Sequence, residues 1–435
     1  MRKRIPDRNI WLVFLASFIL GAAYGDSIAL TALHLDAVGF TRSQIGSLAA
    51  WFAGGIVVMS LPAGALVRRF SARWTLVVSL LGYAVAVALF PFQSTYSRVA
   101  AVRFVDGVCS VGIWVSCETI LLSRSSASNK AFVTSLYAMA IALGYAAGGG
   151  VARGLILVTT MPWAFVAAGA LALVATAIVA FGLDPDAPEI EVDAARGGAR
   201  GADVASGSGA TGVTPGSSGT PGVGAGEGVS GWKLAWKIKT SCFGTFAYGY
   251  FQASVVLFLP LFLVADKHIG RERTVLMPAI FALGMLLFAN QAGRLADRFG
   301  HLLLMRVLGA IGTLMVLGFV FLDAWIAMGA AIFVAGATLA SISPVSLALQ
   351  GRIASRRDYA RSNAIYNAFY AAGMLLGPPI SSALFERHGG GAMLYHLAAL
   401  WAAFVAFTTV FAKDDPAARG ELTTPAESAI ARPEI

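Results

Sequence analysis

Four charged side chains stand inside runs of otherwise apolar residues: Asp26, Arg103, Asp106 and Glu118. Charged groups are costly to place inside a bilayer, so they commonly mark proton relays and solute pathways. An arginine that approaches an aspartate and then leaves it can switch the carboxyl group between its ionised and protonated forms. Asp26 and Arg103, with Asp106 beside the arginine, are therefore candidates for proton coupling.

Asp26 and Arg103 are predicted to lie at nearly the same depth in the membrane. Asp26 follows Ile10, the start of the first predicted helix, by sixteen residues, which places it about 24 Å along that helix. The helix that carries Arg103 enters from the other side near Arg98, so Arg103 lies about 7.5 Å into a core about 30 Å thick. We hypothesise that the two side chains face each other. Alternatively, Asp106, one turn away, neutralises Arg103, while Asp26 only meets water near the outer mouth.

The apolar runs that carry these residues are long enough to cross a bilayer. Of 435 residues, 57% are hydrophobic and 13% charged, and the mean hydropathy is +0.73. Soluble domains carry about 25% charged residues, and about 20 apolar residues span a bilayer as a helix. The sequence therefore predicts an all-α polytopic membrane protein. The predicted spans are residues 10–33, 44–67, 74–93, 98–122, 131–152, 161–182, 239–264, 274–295, 301–322, 325–349, 362–385 and 391–412.

Basic residues are distributed unevenly among the segments that join these spans. With both termini placed in the cytoplasm, 21 lysines and arginines fall in cytoplasmic segments and 7 on the opposite side. Such a bias fixes the orientation by the positive-inside rule. The net charge of +9 therefore reflects membrane topology, and no nucleic-acid partner is expected.

The twelve spans form two groups of six, separated by a segment rich in Gly, Ser and Pro. No aromatic residue occurs from Gly182 to Gly231, so this stretch cannot bury enough apolar surface to order itself. It is predicted to be a flexible tether, and a regulatory role for it stays open. The predicted domains are an N-terminal six-helix bundle (1–182), a cytoplasmic linker (183–238), a C-terminal six-helix bundle (239–412) and a cytoplasmic tail (413–435).

Two pairs of segments recur at one offset along the chain. The charged turn "GRLADRFGH" begins 229 residues after "GALVRRFSAR" (293 − 64 = 229), and "IYNAFYAAGMLLG" begins 229 residues after "LYAMAIALGYAAG". In the second pair, Gly144 aligns with Gly373 and Gly148 with Gly377. A constant offset indicates an internal duplication, so the bundles should be related by pseudo-symmetry. Small residues at this spacing let helices approach closely, and we assign that packing role to these four glycines and Pro378.

The turn "GRLADRFGH" resembles the loop signature of the major facilitator superfamily, Gly-x-Leu-Ala-Asp-Arg-x-Gly-Arg. "RFVDGVCSVG" is similar to the superfamily's fourth-helix pattern Arg-x-x-x-Gly, and the resemblance extends over all twelve spans. The resemblance implies a two-bundle fold and a secondary transporter that works by alternating access. It also implies a central cavity lined by helices that include the first and the fourth, and a location in a bacterial inner membrane.

The sequence departs from the family pattern in two places. The first loop carries Arg68 where the family has aspartate, and Ser71 where the family has glycine. "GMLLGPP" resembles the Gly-x-x-x-Gly-Pro element that the antiporters carry in helix 5, but here this copy, with Pro378, lies in the eleventh span. No subgroup of the superfamily is therefore assigned.

The charged turns are predicted to form a gate at the cytoplasmic side. A carboxylate and arginines at a tight turn can pair with neighbouring helix ends in one conformation and separate in the other. The alternative is a solvated turn that only obeys the positive-inside rule. For Glu118 we expect a partner among Arg68, Arg69 and Arg124, or else an exposed interfacial position. The predicted gate residues are Gly64, Arg68, Arg69, Glu118, Gly293, Asp297, Arg298 and Gly300.

Polar and aromatic side chains near the middle of the spans are candidates for contact with a solute. Gln252 lies about 18 Å along its predicted helix, near the midplane where such transporters bind their cargo. An ordinary interhelical hydrogen bond or packing contact is the alternative for each candidate. The predicted cavity residues are Tyr24, Trp114, Gln252 and Asn367, which match no sugar, nucleoside or peptide pattern.

Signatures of catalysis, nucleotide binding and metal binding are missing from the sequence. Cys109, Cys117 and Cys242 fall inside predicted spans without paired spacing, which predicts neither disulfides nor a metal site. The chain has no phosphate-binding loop and no His-Glu-x-x-His pattern. We therefore predict a monomeric carrier in the lipid bilayer, with no enzyme activity and no cofactor, that binds a small organic solute and H⁺. A sensor or scaffold that keeps the fold without turnover is the alternative.

Overall fold

The fold is a bundle of membrane-length helices. A computed structural model describes residues 7–60, 62–125, 130–184, 231–354 and 358–415. Within these ranges no strand occurs, and twelve helices are long and apolar enough to cross a membrane, which confirms the predicted fold class. These helices are α1 Arg8–Ala37, α2 Arg42–Ser60, α3 Ala72–Leu89, α4 Tyr96–Ser123, α5 Lys130–Val158, α6 Met161–Gly182, α7 Lys239–Ala265, α8 Met277–Phe299, α9 His301–Phe319, α10 Trp325–Ile353, α11 Tyr359–His388 and α12 Gly390–Val410.

The second predicted span, residues 44–67, is interrupted in the structure. Helix α2 ends at Ser60, and a separate short helix, Ala63–Phe70, follows Pro62. Proline lacks an amide hydrogen and its ring clashes with the preceding turn, so it ends one helix and begins the next. The turn that carries Arg68 is consequently set apart from α2.

The end of the predicted linker also differs from the prediction. A short helix, Gly231–Lys237, lies inside the range assigned to the linker and leads almost directly into α7. It buries Leu234 and leaves Trp232 and Trp236 exposed, as is typical of aromatic residues at a membrane surface. Residues 185–230 of the predicted linker and 416–435 of the predicted tail lie outside the described residues.

Each six-helix bundle is built around two equivalent helix pairs. In the first bundle α1 packs on α5 and α2 packs on α4, and in the second bundle α7 packs on α11 and α8 on α10. Helices α3 and α6 complete the first bundle, and α9 and α12 complete the second. The matching pairs confirm the pseudo-symmetry predicted from the offset.

Glycines determine how closely α2 and α4 approach each other. A side chain at Gly55 would overlap the carbonyl oxygen of Phe104, and one at Gly107 would overlap that of Phe52. Both contacts recur 229 residues later (284 − 55 = 229), between α8 and α10. The recurring contacts are Gly284 with Phe333 and Gly336 with Phe281. The duplication therefore extends to individual backbone contacts.

The two bundles meet where α2 packs on α11 and α5 packs on α8. Gly46 lies against the Pro378 carbonyl and the Ser382 side chain, and the Ser43 amide donates a hydrogen bond of 2.8 Å to Glu386 Oε2. These residues belong to the first turns of α2 and the last turns of α11. We call this end of the molecule the closed end.

The charged turns lie at the opposite end, where α8 joins α9 and the short helix Ala63–Phe70 leads into α3. Arg68, Arg69 and Arg298 are exposed there. A side chain at Gly293 would meet open space, and one at Gly64 would approach only the flexible end of Arg68. We call this end the basic end.

Candidate functional site

Two glycines of α5 bring that helix close to α1 around Asp26. A side chain at Gly144 would overlap the carbonyl oxygen of Phe18, and one at Gly148 would overlap that of Ala22 and lie 2.7 Å from the Asp26 amide nitrogen. The second bundle repeats the arrangement between α11 and α7. The equivalent contacts are Gly373 with Phe246 and Gly377 with Tyr250. This geometry fits the packing role assigned to these glycines.

Asp26 is completely buried beside this helix contact. Its exposed fraction is 0%, and neither carboxylate oxygen has a hydrogen-bond partner among the described residues. Tyr83 of α3 lies within electrostatic range of Asp26, and its hydroxyl is 3.3 Å from Ser27 Oγ. An ionised carboxylate without a partner is costly in such surroundings, so a proton is the simplest ligand for Asp26.

Arg103 pairs with Asp106 on its own helix. Arg103 Nη1 is 2.6 Å from Asp106 Oδ2, both side chains are nearly buried, and the guanidinium lies 4.5 Å from the centre of the Phe52 ring. The structure therefore does not bring Arg103 to Asp26 as hypothesised. It shows the pairing of the alternative, because the spacing of three residues places Asp106 on the same side of α4, one turn away.

A network of hydroxyl groups joins α1, α3 and α4 beside these charges. The Tyr24 hydroxyl is 2.6 Å from Ser110 Oγ, and the Tyr24 ring centre is 4.7 Å from that of Tyr83. Tyr83 lies within electrostatic range of all three charged groups of this region. The structure thus places Tyr24 in a buried network. Sequence reasoning missed Tyr83 and Ser110 because neither carries a charge or belongs to a motif.

The other predicted cavity residues lie nearer to the space between the bundles. Gln252 of α7 is half-buried, and its Oε1 accepts a hydrogen bond of 2.9 Å from the Tyr370 hydroxyl of α11. Trp114 and Asn367 are also half-buried, and Trp114 packs against side chains of both bundles. Tyr370, which sequence reasoning did not select, holds Gln252 in place.

A second polar cluster takes the place in the second bundle that Asp26 has in the first. Ser254 meets the second glycine of α11, just as Asp26 meets the second glycine of α5. Ser381 Oγ donates a hydrogen bond of 2.9 Å to Ser254 Oγ, and the Tyr250 hydroxyl is 3.0 Å from His396 Nε2. In contrast to Asp26, the groups of this cluster satisfy one another.

Glu118 lies near the basic end of α4 and is half-buried. In the part of the chain that the structure describes, it forms no ion pair with Arg68 or Arg69. Arg124, the third expected partner, pairs with Asp7 at 3.3 Å. The expected partnership of Glu118 is therefore not found in this conformation, because Arg68 and Arg69 project from the separate short helix towards solvent.

The charged turn of the second bundle pairs with its own bundle. Asp297 Oδ1 is 2.7 Å from Arg352 Nη2 at the end of α10 and 3.7 Å from His301 Nε2. The Arg298 guanidinium lies over the ring of the next residue. Gly300 joins α8 to α9 with a φ of +98°. Asp297 thus contacts a neighbouring helix end, as a gate residue would, and the contact stays within one bundle.

The described residues do not suggest a metal centre. No group of three or more His, Cys, Asp or Glu side chains in these ranges is arranged to hold a metal ion. Cys109, Cys117 and Cys242 are free thiols. The polar groups around the helix contacts are hydroxyls, amides and carboxylates, which bind solutes and protons through hydrogen bonds.

Comparison with known sequences places the chain in a family. Its sequence matches the Major Facilitator Superfamily over residues 10–325 and 241–433. An uncharacterized MFS-type transporter of Yersinia pseudotuberculosis serotype O:3 (strain YPIII) is 24% identical over 386 residues, covering 86% of this chain and 87% of the relative. The uncharacterized MFS-type transporter YcaD of Escherichia fergusonii is 23% identical over 404 residues, covering 91% and 94%.

Solved structures share the fold at much lower sequence identity. The nucleoside transporter NupG (D323A mutant) has a TM-score of 0.72 at 13% identity, covering 93% of this chain and 98% of NupG. A bacterial homologue of the human lysosomal transporter Spinster, solved in an inward-facing and occupied conformation, has a TM-score of 0.71 at 11% identity, covering 93% and 97%. The matched sequence and the shared two-bundle architecture lead to one conclusion. The chain belongs to the major facilitator superfamily of membrane transporters.

Proposed function

We propose that this chain is a proton-coupled secondary transporter of the bacterial inner membrane that moves a small organic solute by alternating access. One observation carries the proposal: Asp26 is buried without a partner beside the contact between α1 and α5. Contacts at the closed end between α2 and α11 fit a state that is open towards the basic end. By the positive-inside rule the basic end and both termini face the cytoplasm.

The pairing of Arg103 suggests how a proton is taken up and released. In this conformation Asp106 holds Arg103, which leaves Asp26 to be neutralised by a proton. If Arg103 turned towards Asp26 in the opposite conformation, its charge would favour the ionised carboxylate and release the proton. Because each protonation state then favours one conformation, proton binding and the movement of the bundles are coupled.

Distances between spin labels at the two ends test this coupling directly. Gln44 and Arg387 are exposed at the closed end, and Arg69 and Arg298 are exposed at the basic end, so cysteines at these positions report which end is closed. Lowering the pH should favour the short distance at the closed end, and raising it should favour the long one. The Asp26→Asn variant, which mimics the protonated side chain, should keep the short distance at every pH.

The repeat supplies a matched control for this experiment. Ser254 occupies the position of Asp26 in the second bundle, so Ser254→Ala should leave the pH response unchanged. An Asp26→Asn variant with an unchanged pH response would refute the coupling. Distances that never change in the parent protein, under any pH or solute, would instead favour a sensor or scaffold that keeps the transporter fold.

A further inference from the structure

The first bundle carries a negative charge that no nearby cation balances. Four charged residues lie within its spans away from the helix ends or near the inner mouth: Asp26, Arg103, Asp106 and Glu118. Arg103 neutralises Asp106, and Asp26 is fully buried, where a proton can neutralise it. Glu118 remains as a half-buried carboxylate without an ion pair among the described residues.

Glu118 lies on the side of α4 that faces the second bundle. Trp114, four residues earlier and therefore on the same helix face, packs between Met59 of α2 and Met374 of α11. The contact with Met374 shows that this face of α4 is turned towards the space between the bundles. Glu118 lies one turn further along, on the way from that space to the basic end.

The depth of Glu118 follows from its neighbours on other helices. Cys117, the preceding residue, lies beside Ser17 of α1 and Tyr137 of α5. Ser17 is nine residues beyond Arg8, the start of α1, so this level lies about 13.5 Å from the basic end. The carboxylate is therefore well inside the bundle, at a level that a bound solute can reach.

Tyrosines from both bundles continue this surface towards the closed end. Tyr145 of α5 lies within electrostatic range of Tyr248 of α7, and the Tyr248 ring centre is 6.1 Å from that of Tyr370. The Tyr370 hydroxyl in turn bonds Gln252. Aromatic faces attract cations, and amide and hydroxyl groups accept hydrogen bonds from ammonium groups.

The second bundle offers no counter-charge at the equivalent position. Leu347 stands where the first bundle has Glu118 (347 − 118 = 229). An anionic solute entering this space would be repelled by Glu118, and a neutral solute would leave the carboxylate unbalanced. A positively charged solute would remove both costs.

We infer that the transported solute is a hydrophobic organic cation, with its charge bound by Glu118 and its apolar body held by Trp114 and the tyrosines. This inference rests on the proposed function, since it names the substrate class of the same transporter. Exchange of such a cation for a proton on Asp26 would keep the charge of the first bundle constant through the cycle.

Three probes of similar shape and different charge test the inference. Tetraphenylphosphonium is a cation, tetraphenylborate an anion and triphenylphosphine oxide neutral. Equilibrium binding to the full chain in detergent should be strongest for the cation. The Glu118→Gln variant should bind the cation at least about tenfold more weakly, because it loses a charge interaction in surroundings of low dielectric, and Glu118→Asp should retain part of the affinity. Glu386→Gln, which removes an exposed carboxylate at the closed end, should bind like the parent.

Two results would overturn the inference: equal binding of the three probes, or unchanged cation binding in Glu118→Gln. The spin-label distances, measured on the same preparations, separate this failure from that of the proposed function. If the pH-dependent exchange persists without selective cation binding, only the substrate class is wrong. If the exchange is absent as well, the proposed transport function fails too.

Discussion

The two bundles share a backbone framework and differ in the polar groups that it buries. The glycines at the contacts between α2 and α4 recur between α8 and α10, and those between α1 and α5 recur between α7 and α11. At the positions of Arg103 and Asp106, however, the second bundle carries Ile332 and Ala335. Asp26 has its counterpart in the uncharged Ser254.

This difference separates what the fold requires from what the proposed transport requires. The residues that recur are small and meet backbone atoms of a neighbouring helix, so they determine helix packing in both halves. The charged residues do not recur, so the fold does not need them, and their burial costs must be offset by another role. The first bundle is therefore the place where proton and solute binding is expected.

The strongest test exchanges the charged pair for its counterpart in the second bundle. Arg103→Ile alone should destabilise the protein by about 3–5 kcal/mol, because it leaves Asp106 buried without a partner. The double variant Arg103→Ile with Asp106→Ala carries the residues of the second bundle and should recover most of that loss. Thermal unfolding in detergent measures both variants.

Unfolding also shows whether the comparison between the bundles holds at this position. Ile332 and Ala335 are buried in the second bundle, so apolar side chains are compatible with this location in the fold. A double variant that is no more stable than Arg103→Ile would show that the first bundle depends on the ion pair for its packing. The distinction between framework and function would then fail here.

The next effect concerns the recurring glycines themselves. Gly55→Ala and Gly284→Ala should each destabilise the protein by about 1–3 kcal/mol, because the added methyl group would overlap a carbonyl oxygen in the facing helix. Gly54→Ala is the matched control, since a side chain there meets open space, and alanine favours a helix over glycine by about 1 kcal/mol. Unequal losses at Gly55 and Gly284 in thermal unfolding would show that the two halves do not depend on the shared contact equally.

Much of this framework could be predicted from the sequence, because its causes are local or regular. Apolar runs of membrane length gave the twelve helices, and most ends agree with the structure to within a few residues. The offset between the repeats identified Gly144, Gly148, Gly373 and Gly377 as equivalent positions. The break after α2 also had a local signal in Pro62, which the prediction of a continuous span did not use.

The candidate site was less predictable, because its geometry depends on rotamers and on neighbouring helices. Depth alone matched Arg103 with Asp26, whereas the structure pairs Arg103 with Asp106 along one helix. Tyr83 and His396 carry no motif, and only the assembled bundles place them beside Asp26 and Ser254. The orientation in the membrane, proton coupling and the solute all stay predictions.

The smallest expected effect compares the two charged turns. Ser71 has φ +72° and ψ +154°, a region that nearly excludes residues other than glycine, and its counterpart Gly300 has φ +98°. Ser71→Gly should stabilise the protein by about 1 kcal/mol through relief of backbone strain, and the loss of the hydrogen bond from the Trp74 amide to Ser71 Oγ should subtract only a few tenths. Gly300→Ser should cost about as much as Ser71→Gly gains. Thermal unfolding of the two variants measures this exchange. If Ser71→Gly lowered the stability, the serine would contribute more through its cap than it costs in strain, and the first turn would be adapted to its own sequence.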